Sequence, residues 1–304
     1  MNRFRLAAVM APAALLLGSL AYAQGGQAHA IVTVLAKHNE VAPTVSQQDV
    51  SAKADGKEAA VTSWAQYKAP NDSLELMILI DGGARNLGRQ FEDIKQFIQI
   101  QGPDTKVAVG YMQNGHVEMA VPFSADHKQV VNEVHLPGGP STNPYFTLSD
   151  LAPKWPSHDP RARREVVMLS DGVDPENPRF DPDDPYVQAA IKDCVRAGLL
   201  VYSIYWRNRP DGENSLSAEG GQSLLSELSQ ATGGNSYWTG TGNPVSFQPY
   251  FDDLMKRFSN QYALGLTGKL DRKPSVETLK LKVEGLGLQV TAPQLIFVHP
   301  AGPE

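Results

Sequence analysis

Hydrophobic and polar positions along this chain change rhythm twice. From residue 30 to residue 68 the pattern is short and strand-like. Ile31, Val32, Val34 and Leu35 form one β-rich run, and residues 49–54 and 59–67 form two more around the turn signal Asp55-Gly56. The middle of the chain alternates strands with helices. The apolar run LELMILI at residues 74–80 predicts a buried strand, and Leu87, Phe91, Ile94 and Ile98 recur at helical spacing after it. Two alternating runs, 106–113 and 116–122, flank Asn114-Gly115 and predict a hairpin. Ser124 can cap a helix carrying Val130, Val131 and Val134, and a Gly/Pro/Ser-rich loop at 137–144 leads to a short helix near 147–151. Strand 165–170, helix 186–197 closed by Gly198, strand 199–206, a helix at 221–231 and a short strand at 236–238 follow. The last helix is expected over 247–262, on a face of Phe247, Phe251, Leu254, Phe258 and Tyr262. Beyond it the pattern returns to strands at 263–267, 278–283, 288–291 and 295–298.

Strands separated by helices imply right-handed crossovers and a sheet covered on both faces. The expected fold is therefore α/β. A doubly wound, mainly parallel, Rossmann-like sheet with one antiparallel edge strand spans residues 72–265. The flanks 28–70 and 268–299 are each too short for a comfortable core. They are expected to pack together as one small β-sandwich around the inserted α/β region, the alternative being two independent appendages.

The start of the chain is not expected to belong to the fold. Arg3 and Arg5 precede an apolar run from Leu6 to Leu20, and Ala21-Tyr22-Ala23 has the small-x-small pattern of a cleavage site. Residues 1–23 therefore predict a signal peptide and an exported product, periplasmic or secreted, with an uncleaved N-terminal anchor as the alternative. No later apolar stretch is long enough to span a bilayer. Removal of Arg3 and Arg5 leaves 25 of the 27 basic side chains against 33 acidic ones, a net charge of −8 in place of −6. That balance argues against a nucleic-acid partner. The single cysteine, Cys194, shares an expected helix with Val187, Ile191 and Val195, which predicts a buried, inert thiol rather than a reactive one.

Two strands end at acids. LELMILID closes on Asp81 before Gly82, Gly83 and Arg85, and VVMLSDG closes on Asp171. Ligands of open α/β sheets bind beyond the C-terminal ends of strands, so these acids mark the candidate functional face. The order of a hydrophobic strand ending in Asp81, a helix, an Asn-Gly hairpin, a glycine-rich loop and VVMLSDG resembles the von Willebrand factor type A fold. The run QYALGLTG at 261–268 is similar to one found in the exported bacterial VWFA-related group. That resemblance implies a protein-binding domain with a metal-ion-dependent adhesion site on three loops. These supply Asp-x-Ser-x-Ser, a Thr and an Asp, since magnesium wants six oxygens in an octahedron.

In this sequence Asp81 fits the first loop, but Gly83 and Arg85 stand where the family has hydroxyls. Asp171 fits the third loop, and either Ser141 or Thr142 fits the second. The implied site is a degenerate one at Asp81, Thr142 and Asp171. Arg85 is expected either to pair with these acids in place of the metal or to point to solvent. The ligand face is expected to comprise Asp81, Gly83, Arg85, Ser141, Thr142, Asp171 and Asp174. No cofactor is expected, with magnesium as the alternative.

The acidic loop 174–185 suits either a solvated turn or a calcium site. Its first acid, Asp174, borders the face. The chain has no His-Glu-x-x-His pair, no Gly-x-Ser-x-Gly elbow and no P-loop, so neither an enzyme nor a nucleotide-binding protein is expected. The aromatics Tyr202, Tyr205, Trp206, Tyr237 and Trp238 predict core packing, with an edge aromatic as a possible partner anchor. The expected function is an exported, non-catalytic module that binds another protein. The alternative is a magnesium-dependent adhesion domain.

Overall fold

In a computed structural model the described residues are 26–300, except 38–43, 69–72, 85, 160, 179, 209–214, 241 and 269–272. The expected signal peptide and Arg85 therefore lie outside the described residues, as does most of the loop after Trp206. Among the described residues no helix is long and apolar enough to cross a membrane.

The first flank supplies strands β1 (Gly26–Ala36), β2 (Val50–Ala54) and β3 (Lys57–Gln66). The second supplies β10 (Gln261–Gly268), β11 (Ser275–Val283), β12 (Leu288–Thr291) and β13 (Leu295–Pro300). All pair antiparallel in the order β10-β3-β2-β11-β13-β1-β12, and a further pairing of β1 with β10 joins the sheet to itself. Six strands thus close into a barrel, with β12 hung on the far half of β1. Its interior holds Ala28, Val32, Val34, Ala52, Ala54, Leu264, Leu266, Ile296 and Val298. These are mostly small or β-branched residues, which fill a narrow barrel without a lumen.

This overturns the expected fold class. The flanks do not form a sandwich of two facing sheets. The parallel sheet is only one of two bodies, and residues 261–265, expected within the α/β region, belong to β10, a barrel strand between β1 and β3.

The second body is a mixed sheet of six strands in the order β6-β5-β4-β7-β8-β9. These are β4 (Leu74–Asp81), β5 (Thr105–Gln113), β6 (His116–Ser124), β7 (Arg163–Ser170), β8 (Leu199–Tyr205) and β9 (Ser236–Tyr237). All pairings are parallel except that of β6, which returns along β5 through the Asn114-Gly115 turn. Both turn residues have positive φ, 51° and 75°, the conformation that makes Asn-Gly a two-residue hairpin turn.

Every residue of β4 is buried, as a strand covered on both faces requires. Leu74, Leu76, Ile78 and Ile80 face a core shared with α1 (Arg89–Gln99), α2 (His127–Glu133) and α6 (Gln248–Phe258). Met77 and Leu79 face α3 (Pro144–Leu151), α4 (Pro185–Ala197) and α5 (Ser215–Thr232).

The two bodies share side chains. Ile31 of β1 packs on the first core, and Val276, Leu295 and Phe297 pack on the second. Arg163, at the start of β7, is buried and donates from Nη1 to Phe258 O at 3.0 Å and to Gln261 Oε1. Its guanidinium lies 4.7 Å from the Tyr67 ring centroid.

Candidate functional site

β4 is followed outward on one side by β5 and β6, and on the other by β7, β8 and β9. The strand order therefore reverses at β4 and β7, and a crevice opens beyond their C-terminal ends. Asp81 is the last residue of β4, and Asp171 immediately follows β7.

Asp81 is fully buried and Asp171 nearly so, at 5% exposure. Asp81 Oδ1 accepts from the Gly83 N–H at 2.8 Å, and Asp171 Oδ1 accepts from the Val173 N–H at 3.0 Å. Each acid thus spends one oxygen holding its own loop in a tight turn. Asp81 Oδ2 is buried with no hydrogen-bond partner. Burial, and then the nearby Asp171 carboxylate, push the Asp81 pKa up to about 7, against smaller opposing effects of the Gly83 N–H and the Ser141 and Ser170 hydroxyls. Those hydroxyls are close enough to act on the carboxyl but not placed to bond Oδ2.

In the second loop Ser141 and Thr142 have different neighbours. The Thr142 hydroxyl accepts from the Gly115 N–H at 2.8 Å and so braces the hairpin. Ser141 is the one that meets Asp81. A Cβ at Gly83 would lie 2.0 Å from Ser141 Oγ, so the missing side chain at 83 leaves the space that this hydroxyl occupies. The structure brings Asp81, Gly83, Ser141, Ser170 and Asp171 together and turns Thr142 away. Ser170 lay in the SDG motif, but its neighbourhood to Asp81 follows from the parallel register of β4 and β7 rather than from any sequence signal.

Asp174 stands at the edge of this crevice, accepting from Asn143 Nδ2 and from the Glu176 N–H, both at 2.9 Å. Two further acids of its loop are engaged locally. Asp181 accepts from the Asp183 N–H, and Asp184 caps α4 through the Tyr186 and Val187 N–H groups. Among the described residues no group of three His, Cys, Asp or Glu side chains is arranged to hold a metal ion. α5 closes against the third loop at Gly221, where a Cβ would lie 2.1 Å from Asp171 O.

Three large aromatics surround this end of the sheet. Phe146, Phe180 and Tyr186 are 46%, 48% and 49% exposed, and the rings of Phe146 and Tyr186 meet edge to face at 6.2 Å. Sequence reasoning missed them because each sits among polar or proline neighbours outside any apolar run. Of the aromatics singled out from the sequence, Tyr202, Tyr205, Trp206 and Tyr237 are buried in the core, and only Trp238 is exposed. Cys194 is fully buried, and burial pushes its thiol up to about 12, so it does not ionise near neutrality.

No protein-family model matches the sequence, and no curated protein matches it. Solved structures similar to the chain include BatB from Bacteroides thetaiotaomicron, at 14% identity and a TM-score of 0.44, covering 62% of this chain and 99% of that one. They also include the VWA domain of SpRpn10, at 13% identity and a TM-score of 0.36, covering 57% and 98% respectively. The manganese-loaded TRAP protein of Plasmodium vivax is similar at 10% identity and a TM-score of 0.40, covering 76% and 96%.

Proposed function

We propose that this chain is an exported, non-catalytic module that binds a protein partner at the C-terminal ends of β4 and β7. The observation that carries this reading is the rim around the crevice. Phe180 shares a surface with Asp174, Phe146 follows the Asn143 cap that Asp174 accepts from, and Tyr186 meets the Phe146 ring. Three half-exposed aromatics thus gather on the Asp174 side, and exposed rings of this size are common anchors for protein partners. On this reading Asp81, Gly83, Ser141, Thr142, Asp171 and Asp174 line or brace the same face.

Binding on this reading does not depend on magnesium. The donor set does not fit the three-loop site that the resemblance implies. Among described residues 81–84, Asp81 Oδ2 is the one side-chain oxygen not already hydrogen-bonded, since Oδ1 accepts from Gly83, and Gly83 has no side chain and leaves its space to Ser141. Thr142 is committed to the hairpin.

The unpartnered Asp81 Oδ2 favours the second reading, a magnesium-dependent adhesion module completed by water. Isothermal titration with magnesium separates the two. We expect no stoichiometric binding at about millimolar magnesium, and no rise in Tm on its addition. Stoichiometric micromolar binding would give the second reading its place. Photo-crosslinking from position 146 in the exporting cell then tests the face itself. Phe146→Ala with Tyr186→Ala is expected to cut partner capture about tenfold at unchanged Tm, and undiminished capture would move the interface elsewhere.

A further inference from the structure

A cleft lies at the opposite end of the sheet from Asp81 and Asp171. It measures about 370 Å³ and opens between the barrel and the N-terminal ends of β7 and β8. Junctions between bodies are common places for ligand sites, and this volume falls in the range of about 300–1,000 Å³ that small-molecule sites occupy.

Its two walls differ in chemistry. The barrel side and the end of α4 contribute an apolar surface that includes Ile31, Leu295 and Phe297. The other side carries Arg161, Arg163 and Arg164, with His29 also lining the space, and among the described residues no aspartate or glutamate lines it. In a chain of net charge −6, this is a local concentration of the minority sign.

Each arginine is held differently. Arg163 is fixed from behind by Glu165 at 3.7 Å, by Phe258 O and by the Tyr67 ring. Arg161 is exposed and stands 3.8 Å from Asp159. Arg164 has no carboxylate partner within ion-pair distance among the described residues, and its one hydrogen bond is a long contact of 3.5 Å from Nη1 to Ala197 O. That contact sets it against the α4 C-terminus. The partial negative charge of a helix end amounts to about half an elementary charge, less than one guanidinium, so the wall stays cationic.

From this geometry we infer that the cleft binds a small amphiphile, with its anionic head on Arg164 and Arg161 and its apolar body along Ile31, Leu295 and Phe297. A guanidinium offers a planar pair of donors to a carboxylate or a phosphate alike. The shared chemistry is one anionic group on one aliphatic chain, whether the source is a fatty acid or a lipid phosphate. This site is independent of the face proposed to bind protein.

The experiment titrates the full chain with decanoate, decyl phosphate, decanol and decyltrimethylammonium by calorimetry. Decanoate or decyl phosphate is expected to bind one to one, and whichever binds more tightly identifies the head group. Decanol and the cationic amphiphile are expected to bind at least about tenfold more weakly. Arg164→Gln and, separately, the fully exposed Arg161→Gln are each expected to weaken the anionic ligand about three- to tenfold at unchanged Tm. Ala197→Phe, which narrows the apolar wall, should weaken all chain-bearing ligands. The inference is overturned if neither anionic amphiphile binds, if decanol binds as well, or if both arginine variants bind undiminished.

Discussion

Asp81 couples the candidate site to the stability of the whole chain. Its pKa is 3.8 in the unfolded chain and about 7 in the folded one, so the folded state holds the proton to higher pH. The stability this group contributes is therefore fully present below about pH 4 and is lost as the pH rises through about 7. The effect is on the order of a few kcal/mol, since the group is fully buried and each pH unit corresponds to about 1.4 kcal/mol. Asp81→Asn keeps the shape and the oxygen that accepts from Gly83 while removing the titration. Urea denaturation should show wild-type stability falling between about pH 4 and pH 8 and a much flatter profile for the variant. Parallel profiles would mean that the carboxyl is not buried as described. Sequence alone located Asp81 and Asp171, because a hydrophobic run ending in an acid is readable. It did not separate Ser141 from Thr142. Two adjacent hydroxyls in an irregular loop differ only in which way each points, and that is settled by the empty space at Gly83 and by the hairpin.

At the scale of elements, the Asn114-Gly115 turn is the clearest example of a local signal with a distant use. Gly115 has a φ of 75°, and a Cβ there would lie 2.6 Å from the Phe146 ring. The same turn donates to Thr142. Gly115→Ala should therefore cost about 1–3 kcal/mol, more than the positive φ alone demands, and should displace Phe146 from the rim. Thermal unfolding measures the first effect and crosslinking yield from position 146 the second. An isolated loss below about 0.5 kcal/mol would show that the ring yields freely.

Other elements were less readable. The aromatic spacing that predicted a helix to Tyr262 runs past its true end, since α6 stops at Phe258 and Ser259 caps it. Tyr262 instead lies on β10 and stacks on Trp64 at 4.6 Å. A spacing of four residues is compatible with one face of a helix and with one face of a strand, so periodicity cannot mark where one becomes the other.

At the scale of the molecule, the strands of both flanks were visible as alternating runs, but their closure was not. A sandwich and a barrel use the same inward and outward alternation. What separates them is the pairing of β1 with β10, a long-range contact that leaves no mark on either strand. The barrel and the α/β body are also joined through Arg163, Ile31 and Phe297. Single-domain cooperativity follows from such shared packing. Calorimetry should show one unfolding transition, and Arg163→Met should lower its temperature or split it in two. Two transitions in the wild type would mean that each body holds itself together.

Barrel closure also sets how the molecule bears load. Gly26 pairs with both Gly268 and Pro300, so the described chain begins and ends side by side at one rim. The chain leaves the barrel after Gln66 and re-enters at Gln261, and the Tyr67 N–H donates to Gln261 O at 3.0 Å. A pull on the two outer ends acts on β1 and β13 as on the halves of a zipper, opening one hydrogen bond after another. A pull through the candidate face enters by β3 and β10, which are neighbours in the same barrel. The α/β body thus hangs from the barrel as a loop whose two feet are tied, and tension between residues 26 and 300 does not pass through Asp81 or Asp171 until the barrel has come apart.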